Sequence, residues 1–214
     1  MSGVKEVVMA TGREQAGSRK QRSAETEQAL KDAARWLFAE RGYLNTKITD
    51  ITAAAGRSAG SFYNHFEGKE QLLQALLEDF AAEGDTSAEA SAHDPDFTKP
   101  AAVEFHIEQY WRFARRNWPV LRAVTQAALV DEEFARLANR FTAGQLEEVV
   151  DHVDGFGAAG LRLPSTPDVS VAMMFLLIRA LLEAVEEGVL AVDDEQAVAG
   201  LTRFVYRGLT GRDY

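Results

Sequence analysis

The stretch AAAGRSAGSFYNHF, residues 53–66, is compatible with two different folds. Its centre, Gly56-Arg57-Ser58-Ala59-Gly60, has the G-x-S-x-G spacing of a hydrolase nucleophile elbow. It also reads as the turn and second helix of a helix-turn-helix. An elbow needs a strand running into the serine, so that a sharp turn exposes the hydroxyl. Here the segment ITAAA, residues 51–55, leads in, and its three consecutive alanines favour helix. No later segment alternates strand with helix. Ser58 is therefore expected to be a helix cap, and catalysis by Ser58 is set aside.

In the helix-turn-helix reading each residue of the stretch has a role. Gly56 allows the left-handed backbone of a tight turn. Ser58 can accept from the orphan amides that open the next helix. Ala59, Gly60 and Ser61 are small, so the helix N-terminus can approach a DNA groove closely. Phe62 and Phe66, four apart, share the inward face. Tyr63 and His65 leave that face and can donate to phosphate oxygens, and Lys69 adds a cation. Thr46 and Lys47 stand at the start of the preceding helix, where they either meet phosphate or simply cap it. Ser61 is a candidate for base contact.

Working outward, the pattern is helical throughout. Leu30, Ala33, Ala34, Leu37 and Phe38 mark a buried stripe on a helix over residues 23–41, closed by Gly42. Short helices are expected over 48–55 and 59–65, and a fourth over 69–83 with Leu72, Leu73, Leu76, Leu77 and Phe80 inward. Residues 1–22 lack periodicity and read as a mobile polar arm. Residues 83–100 read as a loop. Further helices are expected over 101–117, from Pro119, from the Asp131 cap to about 154, over 167–187 and over 193–208, with a turn-rich connection at 155–167. The total is an all-α chain of about nine helices. Its expected division is an arm (1–22), a head (23–70) and a body (71–214).

Charge is uneven. The net is −10, yet residues 1–70 hold 11 Lys/Arg against 9 Asp/Glu. An acidic body with a slightly basic head is compatible with DNA binding through the head alone. The absence of cysteine excludes disulfides and thiolate sites and suits a reducing compartment. No signal-peptide pattern opens the chain, and the longest apolar run, residues 171–178, is too short to span a bilayer. A cytoplasmic location without membrane contact is expected. His65, His93, His106 and His152 show no metal-ligand spacing, and no cofactor or metal is expected.

Residues 24–77 resemble the DNA-binding domain of the tetracycline-repressor (TetR) family. The resemblance is carried by Ala33-Ala34, Leu37-Phe38, Gly42-Tyr43, Thr46, Ile48, Asp50-Ile51, Ala54-Ala55-Gly56, Ser58, Gly60-Ser61, Phe62-Tyr63, His65-Phe66 and Lys69-Glu70. It implies a homodimeric transcriptional regulator, usually a repressor, whose three-helix head binds a palindromic operator. It also implies a helical body that binds a small effector and dimerises through the last two helices. The DNA-binding residues so expected are Thr46, Lys47, Arg57, Ser58, Ala59, Gly60, Ser61, Tyr63, His65 and Lys69. Arg57 stands where the family commonly has valine; it either reaches a phosphate or folds its stem over the first helix. Thr52 and Gly68 depart from the family pattern without threatening it. For a largely apolar effector, the expected lining is Phe105, Tyr110, Trp111, Trp118, Phe141, Met174 and Phe175, drawn from an aromatic-rich body whose core must also use many of them. A helical interaction protein that kept the head but lost operator binding is the competing reading.

Overall fold

The computed structural model describes the backbone of residues 3–90 and 94–213, and the side chains of residues 19–83 and 94–213. His93 lies outside the described residues. The order is α1 (Gly3–Arg41), α2 (Ile48–Ala54), α3 (Ala59–Tyr63), α4 (Lys69–Ala90), α5 (Pro100–Arg116), α6 (Trp118–Ala128), α7 (Glu132–Glu147), a 3-10 helix (Val150–Phe156), α8 (Pro167–Glu186) and α9 (Asp194–Thr210). There is no strand among the described residues.

Two helices are longer than their apolar stripes suggest. The segment expected as an arm is helical from Gly3, and α4 continues to Ala90 through half of the expected loop. Apolar periodicity marks only the part of a helix that is packed, and residues 19–25 of α1 are exposed. No proline precedes position 95, and alanine, glutamate, lysine and arginine favour helix by intrinsic propensity. At the far end the expected helix to residue 154 breaks into α7 and the 3-10 helix.

The caps follow local chemistry. Asp131 accepts from the amides of Glu133 and Phe134, and Asp193 from that of Gln196. Thr166 occupies the N-cap of α8 without a side-chain cap bond, and Pro167 opens the helix.

One apolar cluster lies under the helix-turn-helix. It joins Leu30, Leu37, Phe38, Ile51, Phe62 and Leu73 with Val120, Ala123 and Ala127 of α6 and Phe134 of α7. A second cluster, in the body, joins α5, the 3-10 helix, α8 and α9 around Ile107, Trp111, Val171, Ile178 and Leu201. The helix α6 thus belongs to both halves. The helix α4 is held to α1 by Asp79, which takes Lys31 at 3.0 Å and Arg35 at 3.1 Å.

Within the body, the Trp111 indole N–H donates to Asp194 at 2.7 Å, and Arg115 pairs with the same carboxylate. The indole hydrogen bond, followed by the guanidinium, holds the Asp194 carboxyl below its usual range. A lowered folded-state pKa adds stability above the unfolded value and loses it as pH falls through the folded one. Asp194→Ala is expected to cost about 1–3 kcal/mol near neutrality, because the buried indole N–H loses its acceptor. Urea unfolding at several pH values checks this: the gap between wild type and variant should shrink below about pH 4.

Candidate nucleic-acid interface

The turn between α2 and α3 is built as the sequence dictates. Gly56 takes φ +62°, and the Ser58 hydroxyl oxygen accepts from the Ser61 amide at 3.1 Å. Ser58 therefore follows a helix and caps another, and a nucleophile elbow is absent. Phe62 is fully buried and Phe66 nearly so, which fixes the orientation of α3. The opposite side is open: Arg57, Ser58, Ala59, Gly60 and Tyr63 are exposed, and Ser61 is half-buried. Lys47 is also exposed at the head of α2, where its amide donates to the Asp50 carboxylate at 3.0 Å.

Three of the residues expected at this surface turn inward. Thr46 is buried, and its hydroxyl donates to the Gly42 carbonyl at 2.8 Å. Its role is to close the α1–α2 turn. The His65 side chain is only 13% exposed and lies 3.7 Å from Glu27 of α1. The Lys69 ammonium donates to the carbonyls of Tyr43 at 2.8 Å and Thr46 at 2.9 Å, and sits 4.0 Å over the Tyr43 ring. Two of its three N–H donors are thus engaged inside the protein. Burial lowers the Lys69 pKa, and neighbouring Glu70 partly offsets this. The Tyr43 hydroxyl donates to Glu70 at 2.9 Å, and burial followed by that bond raises its pKa. Sequence spacing places these residues near the interface but cannot give side-chain direction.

Five of the seven residues expected to line an effector site belong to the body cluster or pack against it. Trp111, Trp118 and Met174 lie in the body core, and Tyr110 and Phe175 pack on its margin in edge contact at 5.1 Å. Burial raises the Tyr110 pKa, against the opposing effect of Arg179. Phe105 is half-buried beside His106. Phe141 packs on Phe80 of α4 instead.

Sequence reasoning missed the junction with α6. Arg122 donates to the carbonyls of Phe38 at 3.0 Å and Ala39 at 3.1 Å, at the C-terminus of α1. These carbonyls belong to the last turn, at the negative end of the dipole; that of Phe38 also accepts from the Gly42 amide at 3.1 Å. Gln126 accepts from the Tyr43 amide at 2.7 Å. Gly42, at φ +78°, leaves room for it: a Cβ there would meet the Gln126 amide oxygen at 3.0 Å. On its other flank α6 meets α8, where Arg179 donates to Thr125 at 2.8 Å and Arg122 approaches Glu187 at 3.6 Å.

Residues 30–76 match the family model of the bacterial regulatory proteins, tetR family. Over 53 residues the chain is 47% identical to the HTH-type transcriptional repressor DhaR of Mycobacterium sp. (strain GP1), covering 25% of this chain and 27% of that protein. The match thus spans about a quarter of the relative's length. The whole fold resembles FadR from Bacillus subtilis, solved in complex with stearoyl-CoA, at a TM-score of 0.71 and 19% identity, covering 85% of this chain and 98% of that one. It also resembles a transcriptional regulator from Saccharomonospora viridis in complex with choline, at 0.72 and 18%, covering 88% and 100%.

The inward bonds separate two roles by stability. Lys69→Ala is expected to destabilise the protein by at least about 1.5 kcal/mol, because it removes charge-assisted hydrogen bonds. Tyr63→Ala, 60% exposed, should stay within about 0.5 kcal/mol. Chemical unfolding of both variants measures the contrast.

Proposed function

Because the chain belongs to the tetR family of bacterial regulatory proteins through its residues 30–76, we propose that it is a DNA-binding transcriptional regulator that acts as a homodimer on a palindromic operator. The observation that carries this reading is the open face of α3. Its N-terminus is capped by Ser58, stripped of bulk at Ala59 and Gly60, and backed by buried Phe62. Lys47 and Arg57 supply cations, Tyr63 a hydroxyl donor, and Ser61 the candidate base contact. With so few long side chains at the tip, much of the discrimination rests on backbone fit and DNA shape. The working division is a head over residues 23–70 and a body over 71–214, and the site of action is the cytoplasm.

The homodimer would form through α8 and α9. Val169, Met173 and Leu176 of α8 are exposed at spacings of four and three, the period of one helix face. Phe204 of α9 is 69% exposed. Apolar side chains so arranged suit a seam with a second copy, which would set two α3 helices about one DNA turn, roughly 34–36 Å, apart.

Repression with release by a small, largely apolar effector is the mode we favour. The body residues Tyr110 and Phe175 lie beside Arg179, whose contact with Thr125 leads into α6 and so to the end of α1. An effector that binds better to one placement of α6 would shift the population of head spacings and lower operator affinity by its differential affinity. The relatives bound to stearoyl-CoA and to choline differ in the ligand they hold, so the effector's chemistry follows from the side chains of this body, not from the fold.

Gel shift against the DNA upstream of its own coding sequence tests the reading. Wild type should bind at low salt with a steep log–log salt dependence. Lys47→Ala and Arg57→Ala should each flatten that slope by about 0.9 for every phosphate left unneutralised, or about 1.8 per dimer. Failure to bind in dilute buffer refutes operator binding, and unchanged slopes show that these two side chains do not meet phosphate. Leu176→Glu with Phe204→Glu should yield monomers by sedimentation; a persistent dimer refutes the proposed seam.

A further inference from the structure

Where α8 meets α6, the Arg179 guanidinium donates to the Thr125 hydroxyl oxygen at 2.8 Å. The Thr125 hydrogen is given to the Leu121 carbonyl at 3.2 Å, so towards Arg179 the hydroxyl only accepts. Phe175 stands one turn before Arg179 on α8, and Leu121 one turn before Thr125 on α6. The Phe175 ring meets Tyr110 of α5 edge-on at 5.1 Å. Tyr110, Leu121 and Phe175 are each half-buried against the body core. Three helices thus gather one guanidinium, two hydroxyls and an apolar margin.

The charge balance at this place is unusual. Residues 71–214 hold 12 Lys/Arg against 24 Asp/Glu, so most cations of the body find an acid. Arg179 is half-buried, yet among the described residues it pairs with no carboxylate. Arg122, the other half-buried arginine of the body, approaches Glu187 at 3.6 Å. The remaining body arginines without an acid partner, Arg140, Arg162, Arg203 and Arg212, are exposed to water. The bond to Thr125 leaves the other N–H donors of the Arg179 fork open. The Tyr110 hydroxyl makes no hydrogen bond to a described residue, and burial keeps it protonated against the opposing effect of Arg179.

We propose that Arg179 and Tyr110 hold the single carboxylate of a small effector whose apolar part lies along Phe175 and Leu121. A guanidinium presents a planar fork that matches a carboxylate with two parallel hydrogen bonds. A partly desolvated cation gains more from such a partner than one in water. One cation balances one negative charge. A phosphate dianion would call for a second, and Lys99, the one lysine of residues 71–214, is paired with Asp94 at 2.7 Å. This proposal rests on the effector response proposed above and names its chemistry. It also names the point of transfer. A carboxylate is a stronger acceptor for a guanidinium than a hydroxyl, so occupancy draws Arg179 from Thr125 and loosens the tie between α8 and α6. The Arg122 and Gln126 bonds to the end of α1 belong to that same α6.

The test titrates octanoate and phenylbutyrate, each beside its neutral amide, into the DNA-free full chain near neutral pH, read by calorimetry and melting temperature. At least one of the carboxylates should bind once per chain and raise the melting temperature. Its amide should bind at least about tenfold more weakly. Arg179→Gln, confirmed folded by circular dichroism, should weaken the carboxylate by at least about tenfold and leave the amide unchanged. Tyr110→Phe should weaken the carboxylate by about threefold or more. Since no DNA is present, the outcome stands whether or not the chain binds an operator. No binding of either carboxylate at millimolar concentration, equal affinity for acid and amide, or wild-type affinity in Arg179→Gln overturns the proposal.

Discussion

The grip of α6 on the end of α1 is the interaction on which the rest of the arrangement depends. The last carbonyls of a helix carry the negative end of its dipole and in part lack helical partners, and here a guanidinium from another part of the chain donates to two of them. Gln126 adds the Tyr43 amide, the first backbone donor after the Gly42 turn. The sequence separations are 83 and 84 residues, so these bonds form only when the helical body has folded against the head. The apolar cluster follows the same line, because α6 contributes Val120, Ala123 and Ala127 to the packing beneath α1. The placement of α3 is thereby inherited from the body. The helix α4, clamped to α1 through Asp79, moves with the same unit.

This junction joins a compactly bonded head to the body. Its polar network is local: Lys69, Glu70, Tyr43 and Thr46 lock the turn between α1 and α2 to the start of α4. Rigid inside, it meets the body through polar contacts, one flank of α6 and Phe134 of α7. Arg122 touches α1 on one side and Glu187 at the end of α8 on the other. A change in the body that displaces α6 therefore reaches the head without any deformation of α2 or α3. Distortion within the tight core of the head would cost packing directly, and a shift of α6 would exchange its hydrogen bonds and repack Val120, Ala123 and Ala127 beneath α1.

Much of the head was legible because its determinants are close in sequence. The Ser58 cap, the Gly56 turn and the Phe62–Phe66 pair lie within eleven residues of one another, and periodicity fixes which face is buried. The inward turn of Thr46, His65 and Lys69 was not legible, because a polar residue beside an interface can point either way and its partners lie on other helices. The long ends of α1 and α4 escaped for a different reason: the sequence there has no apolar stripe to read. In the body the helices were legible but their junctions were not. Arg122 and Gln126 look like ordinary polar residues of an amphipathic helix until the end of α1 is placed against them. Nor can composition divide core rings from rings that face a ligand.

Head placement by α6 is open to direct measurement because the chain has no cysteine, so a single Arg57→Cys substitution on the exposed turn carries one spin label per copy. Pulsed electron–electron double resonance then reports the separation of the two heads in the proposed homodimer, in the wild-type background and with Gln126→Ala plus Arg122→Ala, each confirmed helical by circular dichroism. A narrow distribution that broadens markedly in the double variant is the expected result. An identical distribution in both backgrounds, or no dipolar signal in either, would contradict the account.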